Sequence, residues 1–162
     1  MKFLLGRGHQ KWIWPVVVAT VMTGCKPAPT IKETLTLCFK DSDGASMFIE
    51  ELRSIAADRN MKFIDDSADG QRRLAATGGL GTERDDGSPF IQIIVKNSAD
   101  MGLWAVNYSA PGYQVRIFFL GKAADPEAQM FADYATKRLA KIWSNQHSTK
   151  DGYIPIDFNA CK

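Results

Sequence analysis

Residues 90 to 120 hold three strand-length apolar stretches linked so tightly that one arrangement is left to them. They are Phe90 to Lys96, Leu103 to Ser109 and Tyr113 to Leu120. The links are Asn97-Ser98-Ala99-Asp100-Met101-Gly102 and Ala110-Pro111-Gly112. A parallel pair needs a long crossover, and these turn-rich links are too short to supply one. The spacing therefore predicts an antiparallel meander. Its alternation assigns Ile91, Ile93, Val95, Trp104, Val106, Tyr108, Val115, Ile117 and Phe119 to the core side. Gln92, Ile94, Leu103, Ala105, Asn107, Gln114, Arg116 and Phe118 fall on the opposite side.

The flanking segments supply what covers the core side. Thr34 to Phe39 alternates Leu35, Leu37 and Phe39 with polar positions and reads as a first strand. Asp41-Ser42-Asp43-Gly44 reads as a turn, and Ser46 as the cap of a helix running to about Asn60. Phe48, Leu52, Ile55 and Arg59 share one stripe of that helix, with Ile49 and Ala56 beside it. Met61 to Ile64 reads as a short strand. Residues 65 to 89 show little periodicity, apart from one helical turn at Gln71 to Ala76. Asp125-Pro126 opens a second helix, with a cap followed by proline at the first helical position. Ala128, Phe131, Ala135, Leu139 and Ile142 are its apolar stripe, and it ends near Ser144. Tyr153 to Phe158 reads as a last edge strand, since Pro155 lacks a donor. The pattern predicts an α+β two-layer sandwich, a mostly antiparallel sheet with two helices packed on one face.

The opposite sheet face is where function is expected. A mixture of aliphatic, aromatic, amide and Arg side chains is too apolar for a face bathed only in water. Ile94, Asn107, Arg116 and Phe118 are its candidate partner-binding residues, because aromatic and Arg side chains commonly carry interface affinity. The alternative is that residues 65 to 89 fold over this face as an extra layer.

Motifs that would carry other chemistry fall short. His147, in the polar loop Ser144 to Thr149, has no nearby group to orient it for acid–base work. With so few His and Cys there is no set of zinc ligands. Asp41-Ser42-Asp43-Gly44 brings its Gly early for a calcium loop and has Leu52 where a bidentate Glu belongs. Gly78-Gly79-Leu80-Gly81 lacks the Lys of a phosphate loop and leads into Glu83, Asp85 and Asp86. Asp65-Asp66 and Asp85-Asp86 are adjacent carboxylates that point apart rather than facing across a cleft. No catalytic residue, cofactor or metal is expected.

The first residues specify an address rather than a fold. Lys2, Arg7 and Lys11 precede the apolar run Trp12 to Met22, and no acidic residue occurs before Glu33. A basic start followed by a short apolar run is the form of a secretory signal. A bilayer span needs about 20 apolar residues, whereas this run has eleven and contains Pro15. The run ends in Val21-Met22-Thr23-Gly24-Cys25. Small residues ahead of a Cys resemble the lipobox of bacterial lipoproteins, over residues 1 to 25, with Met22 where Leu is usual. The resemblance implies cleavage after Gly24 and lipidation of Cys25. It also implies a domain facing the periplasm, and Lys26 in place of Asp favours the outer membrane. Acyl chains on Cys25 then hold the chain to the membrane, since one is marginal and two suffice.

On this reading residues 1–24 are the signal peptide, 25–33 the lipidated Cys and tether, and 34–162 a single α+β domain. Loss of Lys2, Arg7 and Lys11 takes the formal net charge from +2 to −1, so no basic excess points to nucleic acid. Cys38 and Cys161 remain, and an even pair in an oxidising compartment suggests a disulfide. That bridge would close a loop of about 120 residues, contributing about 4–5 kcal/mol in the chain-entropy model. The function expected is a membrane-anchored accessory module that binds a protein partner. The alternatives are an immunity-type inhibitor of a periplasmic toxin, acting through residues 82 to 86, and an envelope hydrolase.

Overall fold

The computed structural model describes residues 29–77, 89–98, 100–107, 114–122, 124–143 and 145–148, the last of these as backbone. The elements follow in the order β1 (Thr30–Cys38), α1 (Ser42–Asp58), β2 (Lys62–Asp65), α2 (Ser67–Ala76), β3 (Gln92–Lys96), β4 (Gly102–Val106), β5 (Gln114–Gly121), α3 (Pro126–Leu139) and β6 (Asn145–Ser148). The strands form one sheet in the order β2-β3-β4-β5-β1-β6, and every neighbouring pair is antiparallel. The fold is the expected α+β sandwich, with α1 and α3 supplying the layer over one sheet face.

The core lies between those two helices and the sheet. Phe48, Leu52 and Ile55 from α1 and Phe131, Ala135 and Leu139 from α3 meet Leu35, Leu37, Ile93, Val95, Ile117 and Phe119. The helix stripes stand where their spacing puts them, except that Arg59 lies past the end of α1 and Ile142 past the end of α3, and both are exposed. The start of α1 is earlier than expected. Asp41, not Ser46, is the cap, and its carboxylate accepts from the Gly44 N–H at 2.9 Å. The stretch read as a turn is thus the first helical turn. Asp125 caps α3 as expected, accepting from the Glu127 N–H at 3.0 Å with Pro126 next to it.

One strand has the opposite phase to the one its sequence suggests. Leu103 and Ala105 are fully buried on the core side, and Trp104 lies on the other face. The cause is the pairing on either side. Ala105 stands between Ile93 and Ile117, and Leu103 between Val95 and Phe119. Those four large residues fix which positions of β4 look inward, and a one-residue slip would invert them all.

Two further elements differ from expectation. The single turn at Gln71 to Ala76 is part of the ten-residue α2. The polar stretch around His147 is β6, an edge strand that pairs His147 with Leu35. Tyr153 to Phe158 lies outside the described residues.

Candidate functional site: the second sheet face

Register decides what stands beside what on the face turned away from α1 and α3. Ile64, Ile94, Trp104, Phe118 and Thr34 are consecutive cross-strand partners from β2 to β1. They form one row across five strands. The Trp104 and Phe118 rings lie 5.8 Å apart, tilted by 39°. This is the cross-strand aromatic contact that stabilises a sheet face. The apolar and aromatic members of the row are half-buried. They are too large and too open to be ordinary solvent-side residues.

The neighbouring row is polar apart from the buried Val106. Gln92, Val106, Arg116, Thr36 and Gln146 follow one another in register. Arg116 is 6 % exposed, and Thr36, Thr34 and Gln114 are buried with it. At the far end of this row α2 closes over Gln92. The Gln92 N–H donates to Ser67 Oγ at 3.0 Å, and its side-chain amide donates to Asp66 at 2.8 Å. Gly70 is what permits this approach, because a Cβ there would stand 2.3 Å from Gln92 Oε1. Part of the segment 65 to 89 therefore does pack on the second face, against β3.

Of the four candidate residues, Ile94, Arg116 and Phe118 share this face. Asn107 has another role. Its Oδ1 accepts from the Ile91 N–H at 2.7 Å, its amide donates to the Pro89 carbonyl at 2.7 Å, and its own N–H donates to Ile91 O at 3.2 Å. It extends the β3–β4 ladder past Val106 and is buried by doing so. Trp104 belongs to the face in its place. In sequence its large apolar side chain fits the core pattern. Only the pairing of its neighbours could have corrected that.

A second groove, lined by Asn60, Lys62, Lys96, Asn97, Ser98 and Asp100, lies at the end of β2 and β3. Lys62 and Lys96 are direct cross-strand partners. Asn60 and Asp100 have φ of 50° and 59°, a region that Asn and Asp tolerate at helix ends and turns. Charged lysines also protect an edge strand such as β2 from pairing with other chains. Edge and turn chemistry account for this groove without a ligand.

Among the described residues no group of three His, Cys, Asp or Glu side chains is placed to hold a metal ion. Cys25, Cys161 and the acidic stretch 82 to 86 lie outside the described residues. No protein-family model matches the chain, and no curated protein is significantly similar to it.

Proposed function

We propose that this chain is a lipid-anchored accessory protein, facing the periplasm and favouring the outer membrane, that binds a protein partner through the second sheet face. The observation that carries the reading is the row Ile64, Ile94, Trp104, Phe118, apolar and half-open on a sheet whose other face already serves the core. A partner that covers this row removes apolar surface from water, which contributes about 25 cal/mol per Å² buried. Trp104 and Phe118 would be its central anchors, as aromatic residues commonly are.

The address has its own test. Cells should incorporate palmitate into the protein, and Cys25→Ser should abolish the label and release the domain from the membrane. Label surviving that substitution would remove the anchor from the proposal.

The binding face is tested by a photo-crosslinking residue at Ile94 in intact cells, followed by measurement of affinity for the captured protein. Trp104→Ala should weaken that affinity by about 1–3 kcal/mol, whereas an exposed substitution on the far side of α1, such as Met47→Ala, should not change it. Equal affinity for the two variants would refute the face as the binding site.

A further inference from the structure

The outer edge of β2 is unpaired among the described residues, and its free backbone groups can be named. β2 pairs Lys62 with Lys96 and Ile64 with Ile94 of β3, and the Asp66 N–H donates to Gln92 O at 2.9 Å. In an antiparallel ladder, alternate residues exchange both their hydrogen bonds with the same neighbour. Lys62, Ile64 and Asp66 therefore turn their N–H and C=O groups to β3, and Phe63 and Asp65 turn theirs outward. The free edge is short. The Met61 N–H donates to Ala56 O at 2.8 Å, and α2 begins at Ser67. What remains is a template for one more antiparallel strand.

A second copy of β2 matches that template in both hydrogen bonds and charge. Antiparallel pairing about a two-fold axis normal to the sheet sets residues of the same face opposite each other. With the axis at Ile64, that residue stands opposite Ile64 of the second copy, and each Phe63 stands opposite Asp65 of the other chain. Every Phe63–Asp65 pair exchanges two hydrogen bonds, so the outward groups of both copies are satisfied. In the same register Lys62 falls opposite Asp66 of the second copy, and opposite charges at such positions attract. Lys62 is exposed and makes no ion pair among the described residues. Arg73 and Gln92 both reach Asp66 through Oδ2, which leaves Oδ1 for a further donor. On the helix side Arg53 lies over the Phe63 ring, 4.3 Å from its centroid, and so beside Asp65 of the second copy. Lys62 deters an arbitrary strand from this edge, and opposite Asp66 it admits a copy of the chain.

The helix layer leaves room for this pairing. α1 packs over both β2 and β3. Strands about 4.8 Å apart then set α1 and its copy about 10 Å apart across the axis, an ordinary helix-packing distance. Glu51, Ser54 and Asp58 turn toward α3, where Arg138 holds them. Ile49, Arg53 and Ala57 line the other flank of α1, toward the axis. We propose that the chain forms a two-fold dimer through β2, with Ile64 on the axis and Lys62 paired with Asp66 of the second copy, so that two six-stranded sheets join edge to edge. The row Ile64, Ile94, Trp104, Phe118 then continues through the axis into its copy. The dimer does not rest on the function proposed for that row.

The test uses the full chain in detergent. Opposite residues that share no hydrogen bond have Cα atoms about 4.5 Å apart, within reach of a disulfide. Ile64→Cys should therefore give a covalent dimer under mild oxidation, joined through residue 64 in peptide maps, whereas Phe63→Cys and the native chain should not. Light scattering across a dilution series should show two native chains per particle giving way to one. Lys62→Glu sets a like charge against Asp66 and should raise the dissociation constant about tenfold. Asp65→Pro removes an outward N–H that β3 does not use, so it should leave one chain per particle with the far-ultraviolet spectrum kept. A native chain that stays single at every concentration would overturn the proposal, and so would a dimer that survives Asp65→Pro unchanged. A covalent dimer from Phe63→Cys but not from Ile64→Cys would overturn the register, and with it the Lys62–Asp66 pair. Loss of partner binding in Trp104→Ala bears on the binding face alone.

Discussion

Phe48→Ala is expected to destabilise the domain by about 3–5 kcal/mol, the usual loss when a buried Phe is truncated to Ala. Phe48 is fully buried, and its ring sits 5.2 Å from Phe39 and 5.9 Å from Trp143. Phe39 and Trp143 are themselves 5.9 Å apart, edge to face. These three rings join the end of β1, the first half of α1 and the turn that follows α3. A cavity at Phe48 removes contacts from three elements at once, and helices anchored to a sheet relax poorly into such a gap. Phe48→Leu, which keeps most of the volume, should cost less than about 1.5 kcal/mol. Urea unfolding followed by Trp fluorescence gives both numbers, with the same m-value for all three proteins. A loss under 1 kcal/mol in Phe48→Ala would mean that these rings do not hold α1 to the sheet.

The meander, the helix stripes and the Asp125-Pro126 start are legible in the sequence because each is a local pattern with one physical cause. Alternation marks a strand with one buried face, and a 3–4 spacing marks a helix with one buried stripe. The features that escape are those whose cause lies elsewhere in the chain. β4 carries apolar residues in both phases, and Ile93, Val95, Ile117 and Phe119 choose between them. In α2 only Gly70 is buried, so there is no stripe to read. β6 is polar along its length and is held by the backbone of β1. The candidate face was partly legible for the same reason. Ile94, Arg116 and Phe118 alternate with core residues, whereas the side that Trp104 takes follows the pairing of β4 with its neighbours. Asn107 has its partners at residues 89 and 91, across a turn.

Arg138 shows what pattern cannot reveal, and its removal should cost about 2–3 kcal/mol. That is below the loss for breaking a fully buried pair, because the site is partly open. Its guanidinium joins α3 to α1 through residues 80 to 87 positions away in sequence. Nε donates to Glu51, one Nη donates to Asp58 and to the Tyr134 hydroxyl at 2.9 Å, and the other donates to Ser54 Oγ at 2.7 Å. Arg138 and Glu51 side chains are 27 % and 18 % exposed, so Arg138→Ala leaves a half-enclosed carboxylate without its partner. Arg138→Lys should recover little, because an ammonium cannot reproduce the planar fork that reaches four acceptors. The penalty should depend on pH. The hydrogen bond from Arg138, and after it that from the Tyr134 hydroxyl, hold the Asp58 carboxyl below its ordinary value. A carboxylate depressed in the folded state contributes stability above its unfolded pKa of about 3.9 and loses it as pH falls through the lower folded value. The gap between the native protein and Arg138→Ala should therefore be constant from pH 8 to about 5 and narrow below about 4. Asp58 is exposed, so added salt should shrink its share at neutral pH as well. Urea midpoints for both proteins at pH 7, 5 and 3.5 measure this directly. A gap that widens towards pH 3.5 would show that Asp58 is not held by Arg138.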